Sequence, residues 1–161
     1  MRIYLALGSN LGDREEHLRS GLRGLAGRGV DVTKTASLYS TEPREFLDQP
    51  WFLNTAIEAD TALGPDDLLA MCLAVERDNL RVRDRAKGPR TLDIDVIFYG
   101  KEIIRRTGLS IPHPSFSLRR FVLGPLAEIA PDFVDPVSHK TIAQLLYLCP
   151  DRAEVRRSGQ L

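Results

Sequence analysis

Apolar and polar positions change period several times along this chain, and each change marks an element. Residues 2–7 (RIYLAL) form a short apolar run that stops at Gly8, which predicts a first strand. The turn GSNLGD follows, and Asp13 with Glu16 three residues on has the spacing of a capping box. Leu18, Leu22 and Leu25 then recur at helical spacing until Gly27 and Gly29 end the helix. Gly21, Gly24 and Gly27 predict a helix face packed close to its neighbour. Residues 31–40 (DVTKTASLYS) are β-branched and alternating and predict a second strand. A polar loop closed by Pro50 leads to a third at 51–61 (WFLNTAIEADT). In LGPDD, Pro65 takes the first helical position, and Asp66 and Asp67 occupy the first turn, where the helix dipole favours acids. Leu68, Leu69, Cys72, Val75 and Leu80 carry the apolar face. A fourth strand is predicted in TLDIDVIFY, with Leu92, Ile94, Val96 and Phe98 alternating with Thr91, Asp93, Asp95 and Ile97. A short return strand (KEII, 101–104) should follow the Tyr99-Gly100 turn. IPHP at 111–114 must be extended or turned, because residues before proline avoid the helical region. Beyond it, a helical segment within 118–129 broken at Pro125 and a short helix at 141–148 are expected.

The order strand, helix, strand, strand, helix, strand is the βαββαβ pattern of a ferredoxin-like α+β sandwich with an antiparallel sheet, and the last third is an extension to it. With 161 residues the chain reads as one domain, 1–161, large enough to bury a core without metal or disulfide staples. Two cysteines, Cys72 and Cys149, lie far apart without CxxC spacing, so two buried reduced thiols are expected. The first residues lack the cleavage pattern of a signal peptide and no run reaches membrane-span length, which points to a soluble cytoplasmic protein.

Formal net charge is zero, so no global field favours nucleic acid, but the distribution is uneven. From 77 to 90, six cations (Arg77, Arg81, Arg83, Arg85, Lys87, Arg90) face two carboxylates (Asp78, Asp84). This basic run enters the acidic strand through Gly88-Pro89. Asp93 and Asp95 are two apart on a strand, so they share a face with Cα atoms about 6.6 Å apart. Taken alone, such a pair is more often just the polar face of a half-buried strand. Beside the arginines it reads differently. Carboxylates that collect a divalent cation and guanidinium forks that match phosphate oxygens are the two halves of a nucleoside triphosphate site. GSNLGD lacks the Gly-Lys-Ser/Thr ending of a P-loop and is read as a tight strand-to-helix turn. Phe52 and Asn54 fall on one face, where an aromatic ring and a carboxamide suit a flat heterocycle. His113 is held between two prolines, while His17 and His139 read as exposed, and the three histidines lack metal-ligand spacing.

Together, GSNLGD after the first strand, TEP…DQPWFLN at 41–54, RVR…GPRTLDIDVIFYG at 81–100 and IPHPSFSLRRFVLGPLAEIAP at 111–131 resemble the 6-hydroxymethyl-7,8-dihydropterin pyrophosphokinase family, over residues 3–148 in one order. The resemblance implies a monomer that transfers the β,γ-pyrophosphoryl group of ATP to a pterin hydroxymethyl oxygen, with two Mg²⁺ ions, and no nucleic-acid or membrane partner. By motif match, Asp93 and Asp95 would hold the metals, with Asp93 also near the pterin. Arg81, Arg83 and Arg90 would clamp the phosphates, Arg81 and Arg90 catalytically. Glu76, Ser110, His113 and Arg119 would line the ATP side. Phe52 and Phe121 would sandwich the pterin, with Asn54 and the backbone near Thr41 and Arg44 at its edge. Glu45, Leu73, Lys87 and Pro114 depart from residues often found in the family, which implies altered lid behaviour with the chemistry kept. No separate general base is evident: a metal-polarised alcohol needing none and a carboxylate taking the proton both stay open. Two other classes compete, an RNA-binding module using Phe52, Phe98 and the arginines, and a regulatory ligand-binding domain without turnover.

Overall fold

The computed structural model describes residues 1–42, 50–79 and 91–161. In chain order these form β1 (Arg2–Ser9), α1 (Arg14–Ala26), β2 (Val30–Thr35), β3 (Leu38–Thr41), β4 (Phe52–Thr61), α2 (Pro65–Asp78) and β5 (Asp93–Tyr99). Then come β6 (Ile104–Arg106), β7 (Leu109–Ile111), α3 (Arg120–Ile129), α4 (Ile142–Leu148) and β8 (Val155–Gly159). Among the described residues the main sheet runs β5-β1-β4-β3-β8, with β2 also paired to β4. Every pairing is antiparallel, so the fold is α+β. No helix of the described residues is long and apolar enough to cross a membrane.

One sheet face carries Leu5 and Leu7 of β1 against Leu18 and Leu25 of α1 and Leu68 and Val75 of α2. The glycines of α1 make this contact close. A Cβ on Gly21 would sit 3.1 Å from Leu92 Cδ2, and one on Gly24 would sit 3.1 Å from Val75 Cγ1. Gly27 does not belong to that face; it is the helix C-cap, whose N–H donates to the carbonyl of Arg23. At the other end of α1, Asp13 accepts from the Glu16 N–H at 3.1 Å as the spacing predicts. The opposite sheet face packs Tyr4, Ala56 and Phe98 against Leu123 and Leu126 of α3 and Leu145 of α4.

Several expectations are corrected. The second strand is split, with β2 pairing the far half of β4 and β3 the near half. The break falls where the Ser37 N–H leaves the ladder to donate to the Glu128 carboxylate on α3, at 3.0 Å. Phe98 does not share a face with Leu92, Ile94 and Val96. The register of β1 on β5 shifts between Tyr4 and Leu5, so Val96 pairs Leu5 while Phe98 pairs Tyr4. One extra residue inverts every side chain beyond it. Phe98 therefore joins the α3 side, 5.0 Å from the Phe116 ring centroid. The return strand starts only at Ile104 and pairs β7 in a separate two-stranded sheet. Pro125 does not break α3 but lies inside it, buried against the sheet, so packing outweighs the one lost helical hydrogen bond. His17 is half-buried, with Nδ1 3.2 Å from Asn79 Oδ1, while His139 is exposed as expected. Both cysteines are free and buried, and burial pushes the Cys72 thiol up to about 12, with Glu76 and Asp95 adding to the effect.

Candidate active site

The registers of three ladders assemble the site. Asp93 of β5 pairs Gly8 of β1, Gly8 pairs Asn54 of β4, and Asn54 pairs Tyr39 of β3. One row along, Asp95 pairs Ala6, and Ala6 pairs Ala56. Directly paired residues share a sheet face, so Asp93 and Asp95 do stand on one side, beside a floor of the small residues Gly8 and Ala6. Both aspartates are half-buried and line a cleft over that floor. Phe52, Asn54 and Thr41 line it on one side, and Arg119, Phe121 and Val122 line it from the start of α3. The two aromatic residues thus come from opposite walls, one on the sheet and one on the helix.

Gly8 is required where it stands. A Cβ there would overlap Oδ1 of Asn54. The Asn54 carboxamide lies against bare backbone, and its Nδ2 donates to Thr41 Oγ1 at 2.7 Å, with both residues buried. A glycine within a strand is the sequence signal for such close approach. Glu42 also lines the cleft and was not anticipated. Beyond Gly8, the rest of the GSNLGD turn and the residue after it brace the same wall without lining the cleft. Asn10 Nδ2 donates to the Pro50 carbonyl at 3.1 Å, and Arg14 Nη1 to the Trp51 carbonyl at 2.8 Å.

Other expected residues stand further out. Glu76 of α2 is buried on the opposite sheet face, where its Oε2 accepts from the Ile94 N–H at 2.7 Å. It ties the edge strand between the two aspartates rather than lining the cleft. Ser110 is half-buried on β7, paired with Arg105. His113 hangs from β5, its N–H donating to the Ile97 carbonyl at 3.1 Å and its Nδ1 accepting from the Ser115 N–H at 3.2 Å. Burial and the Arg119 guanidinium push its imidazole below the ordinary value, against the opposing pull of Asp93. The ring is therefore neutral near pH 7 and close to both. Arg44, Arg81, Arg83 and Arg90 lie outside the described residues, as do Glu45, Leu80 and Lys87.

The family model described as 7,8-dihydro-6-hydroxymethylpterin-pyrophosphokinase (HPPK) matches residues 4–131. The chain belongs to this family. It is 43% identical over 146 residues to the 2-amino-4-hydroxy-6-hydroxymethyldihydropteridine pyrophosphokinase of Methylorubrum extorquens, covering 90% of this chain and 91% of that protein. The Bacillus subtilis protein of the same name is 45% identical over 127 residues, covering 78% and 76%. A pea protein, the mitochondrial folate synthesis bifunctional protein, is 41% identical over 133 residues, and the chain spans only 26% of its length. Among solved structures, Plasmodium falciparum HPPK-DHPS with pteroate superposes with a TM-score of 0.73 at 15% identity, over 91% of this chain and 42% of that one. That likeness concerns the fold. The HPPK match takes in β1 from Tyr4 on and runs through α3, and so covers every described residue that lines the cleft.

Proposed function

We propose that this protein is a pterin pyrophosphokinase of folate biosynthesis, a transferase that moves the pyrophosphoryl group of ATP to 6-hydroxymethyl-7,8-dihydropterin and releases AMP. The observation that carries this reading is one cleft joining two carboxylates, Asp93 and Asp95, to two aromatic walls, Phe52 and Phe121, with the Asn54–Thr41 pair at the base. A flat heterocycle fits between the rings, and its amide-like edge meets the carboxamide. The end that bears the hydroxymethyl group then points across β1 toward β5 and the aspartates.

The donor set fits Mg²⁺. Among the described residues no group of three metal-ligating side chains occurs, and Mg²⁺ characteristically takes one or two protein carboxylates and completes its shell with water and phosphate. Asp93 and Asp95 would hold two such ions, which neutralise phosphate charge and favour ionisation of the alcohol. The chain's own residues supply position. The floor of Gly8 and Ala6 admits the substrates close to the backbone, and Glu76 holds the strand that carries the aspartates. Arg119 places a permanent cation at the α3 wall, and neutral His113 adds no competing charge. Arg81, Arg83 and Arg90 belong to the same proposal as the phosphate clamp, with Arg81 and Arg90 stabilising charge that develops at the bridging oxygen. Ser110 belongs to the proposal on the nucleotide side, and Arg44 on the pterin side.

The sheet order β5-β1-β4-β2, with a helix after β1 and another after β4, supports a ferredoxin-like core extended at the C-terminus. We read residues 1–161 as a single domain, monomeric and cytoplasmic, where its two free thiols stay reduced. Zero net charge weighs against a nucleic-acid partner. Incubation with ATP, Mg²⁺ and the hydroxymethyl dihydropterin should yield AMP and the pterin diphosphate. ADP as the product, or no turnover at all, would overturn the reading. Asp95→Ala should lower kcat by about 10²–10³-fold or more, the scale of losing one preorganised charge-stabilising group.

A further inference from the structure

The C-terminal segment reaches both walls of the cleft. Asp151 Oδ2 accepts from the Arg120 N–H at 3.0 Å, at the first residue of α3 and between Arg119 and Phe121. Its Oδ1 accepts from the Ala153 N–H at 2.9 Å, which fixes the carboxylate. Three residues on, the Glu154 N–H donates to Oε1 of Glu42 at 2.7 Å, and the Glu42 N–H donates to the Glu154 carbonyl at 3.2 Å. Thr41 pairs Val155, and the Arg156 guanidinium lies 5.5 Å from the centroid of Trp51, next to Phe52. Past these contacts, Arg157 Nε donates to Ser37 Oγ at 2.9 Å, beside the bond from Ser37, just before β3, to Glu128 of α3. Residues 151–157 lie beyond the 4–131 span that the family model matches.

We propose that residues 151–157 are a strap that sets the distance between the two aromatic walls, and that Asp151 and Glu154 are positioning residues for the pterin half of the site. The inference rests on the pterin pyrophosphokinase reading. Phe121 is the second residue of α3 and Phe52 sits opposite Thr41 at the end of β3; the strap bonds the residue beside each, Arg120 and Glu42. A cleft already held at ring width loses less conformational freedom when the ring enters. The aspartates are far from this device in the sheet. Asp93 and Asp95 lie on β5, separated from β8 by β1, β4 and β3. The strap therefore acts more on pterin affinity than on nucleotide affinity, which it reaches only through Arg119, the neighbour of Arg120.

The test titrates 6-hydroxymethylpterin, and separately a non-hydrolysable ATP analogue with Mg²⁺, into the unaltered protein and into Asp151→Ala, Asp151→Asn and Glu154→Pro, with a melting curve for each. Glu154→Pro removes the N–H given to Glu42, and Asp151→Asn keeps an acceptor for Arg120. Pterin Kd should rise about tenfold in Asp151→Ala and Glu154→Pro, recover in Asp151→Asn, and leave the nucleotide Kd within about twofold. Unchanged pterin affinity would overturn the proposal. So would an equal loss of both ligands in step with Tm, the mark of a merely structural segment. Absence of pterin binding by the unaltered protein would remove the functional reading itself, and the strap with it.

Discussion

A single methyl group at position 8 would enter the space that Oδ1 of Asn54 occupies. Gly8→Ala should swing the carboxamide away from Thr41, and pterin affinity should fall about tenfold in a binding titration, the cost of one buried hydrogen bond and its unmet partner. Tm should fall as well, because Asn54 and Thr41 are both buried. A second residue-scale prediction concerns Glu58, buried on the same sheet face. Burial raises its pKa, but the Tyr4 hydroxyl at 2.8 Å, Thr33 Oγ1 at 2.9 Å and the Arg2 guanidinium at 2.9 Å outweigh this and hold it below its ordinary 4.5. The folded state thus binds fewer protons than the unfolded one around that pH. The carboxylate's contribution is present above 4.5 and is lost as pH falls through the lower folded value. Urea midpoints measured from pH 6 to pH 3 should fall in the unaltered protein, and its advantage over Glu58→Gln should shrink across that window. The sequence predicts a strand end at Gly8, whereas β1 runs on to Ser9 and keeps the glycine inside it; Glu58 is one polar residue among alternating ones.

At the scale of elements, α1 approaches α2 through Gly24, where a Cβ would lie 3.1 Å and 3.2 Å from the two methyls of Val75. Gly24→Leu should destabilise by about 1–3 kcal/mol through overpacking. Val75→Ala in the same chain should recover part of that loss in a double-mutant cycle. Strand β5 is the sheet's edge, and the Glu76 carboxylate meets its Ile94 N–H in place of a neighbouring strand. Glu76→Ala should cost about 1–3 kcal/mol or more by leaving a buried donor unmet, and activity should fall with it as the aspartates loosen. Glu76→Gln, which keeps an acceptor, should retain most of both. Helix spacing and strand alternation made α1, α2, β1 and β4 legible, because each reports a local period. The split between β2 and β3 was not legible, since Glu128, 91 residues away, decides it. Strand β8 was not anticipated either. VRRSG has no alternation, and it is a strand only because β3 offers it an edge.

For the whole molecule, the site is a seam between the sheet and the first turn of α3, with both walls bonded to chain near the C-terminus. Asp95→Asn should abolish the stabilisation that Mg²⁺ and an ATP analogue should give the unaltered protein, about 2.7 kcal/mol at a hundredfold excess over Kd; calorimetry with and without ligands checks it. By itself the sequence determined the apolar stripes of the helices, the shared side of Asp93 and Asp95, and the motifs that resemble the family. These follow from spacings of two to four residues, where the chain's own geometry sets which side chains lie together. Only the tertiary structure decided that Phe98 turns away from its strand's apolar row, that Glu76 serves the backbone, that bare Gly8 seats Asn54, and that residues 151–157 join the walls of Phe52 and Phe121. Those outcomes depend on a bulge, on neighbours distant in sequence and on which sheet edge stays open, all of which exist only once the sheet has assembled.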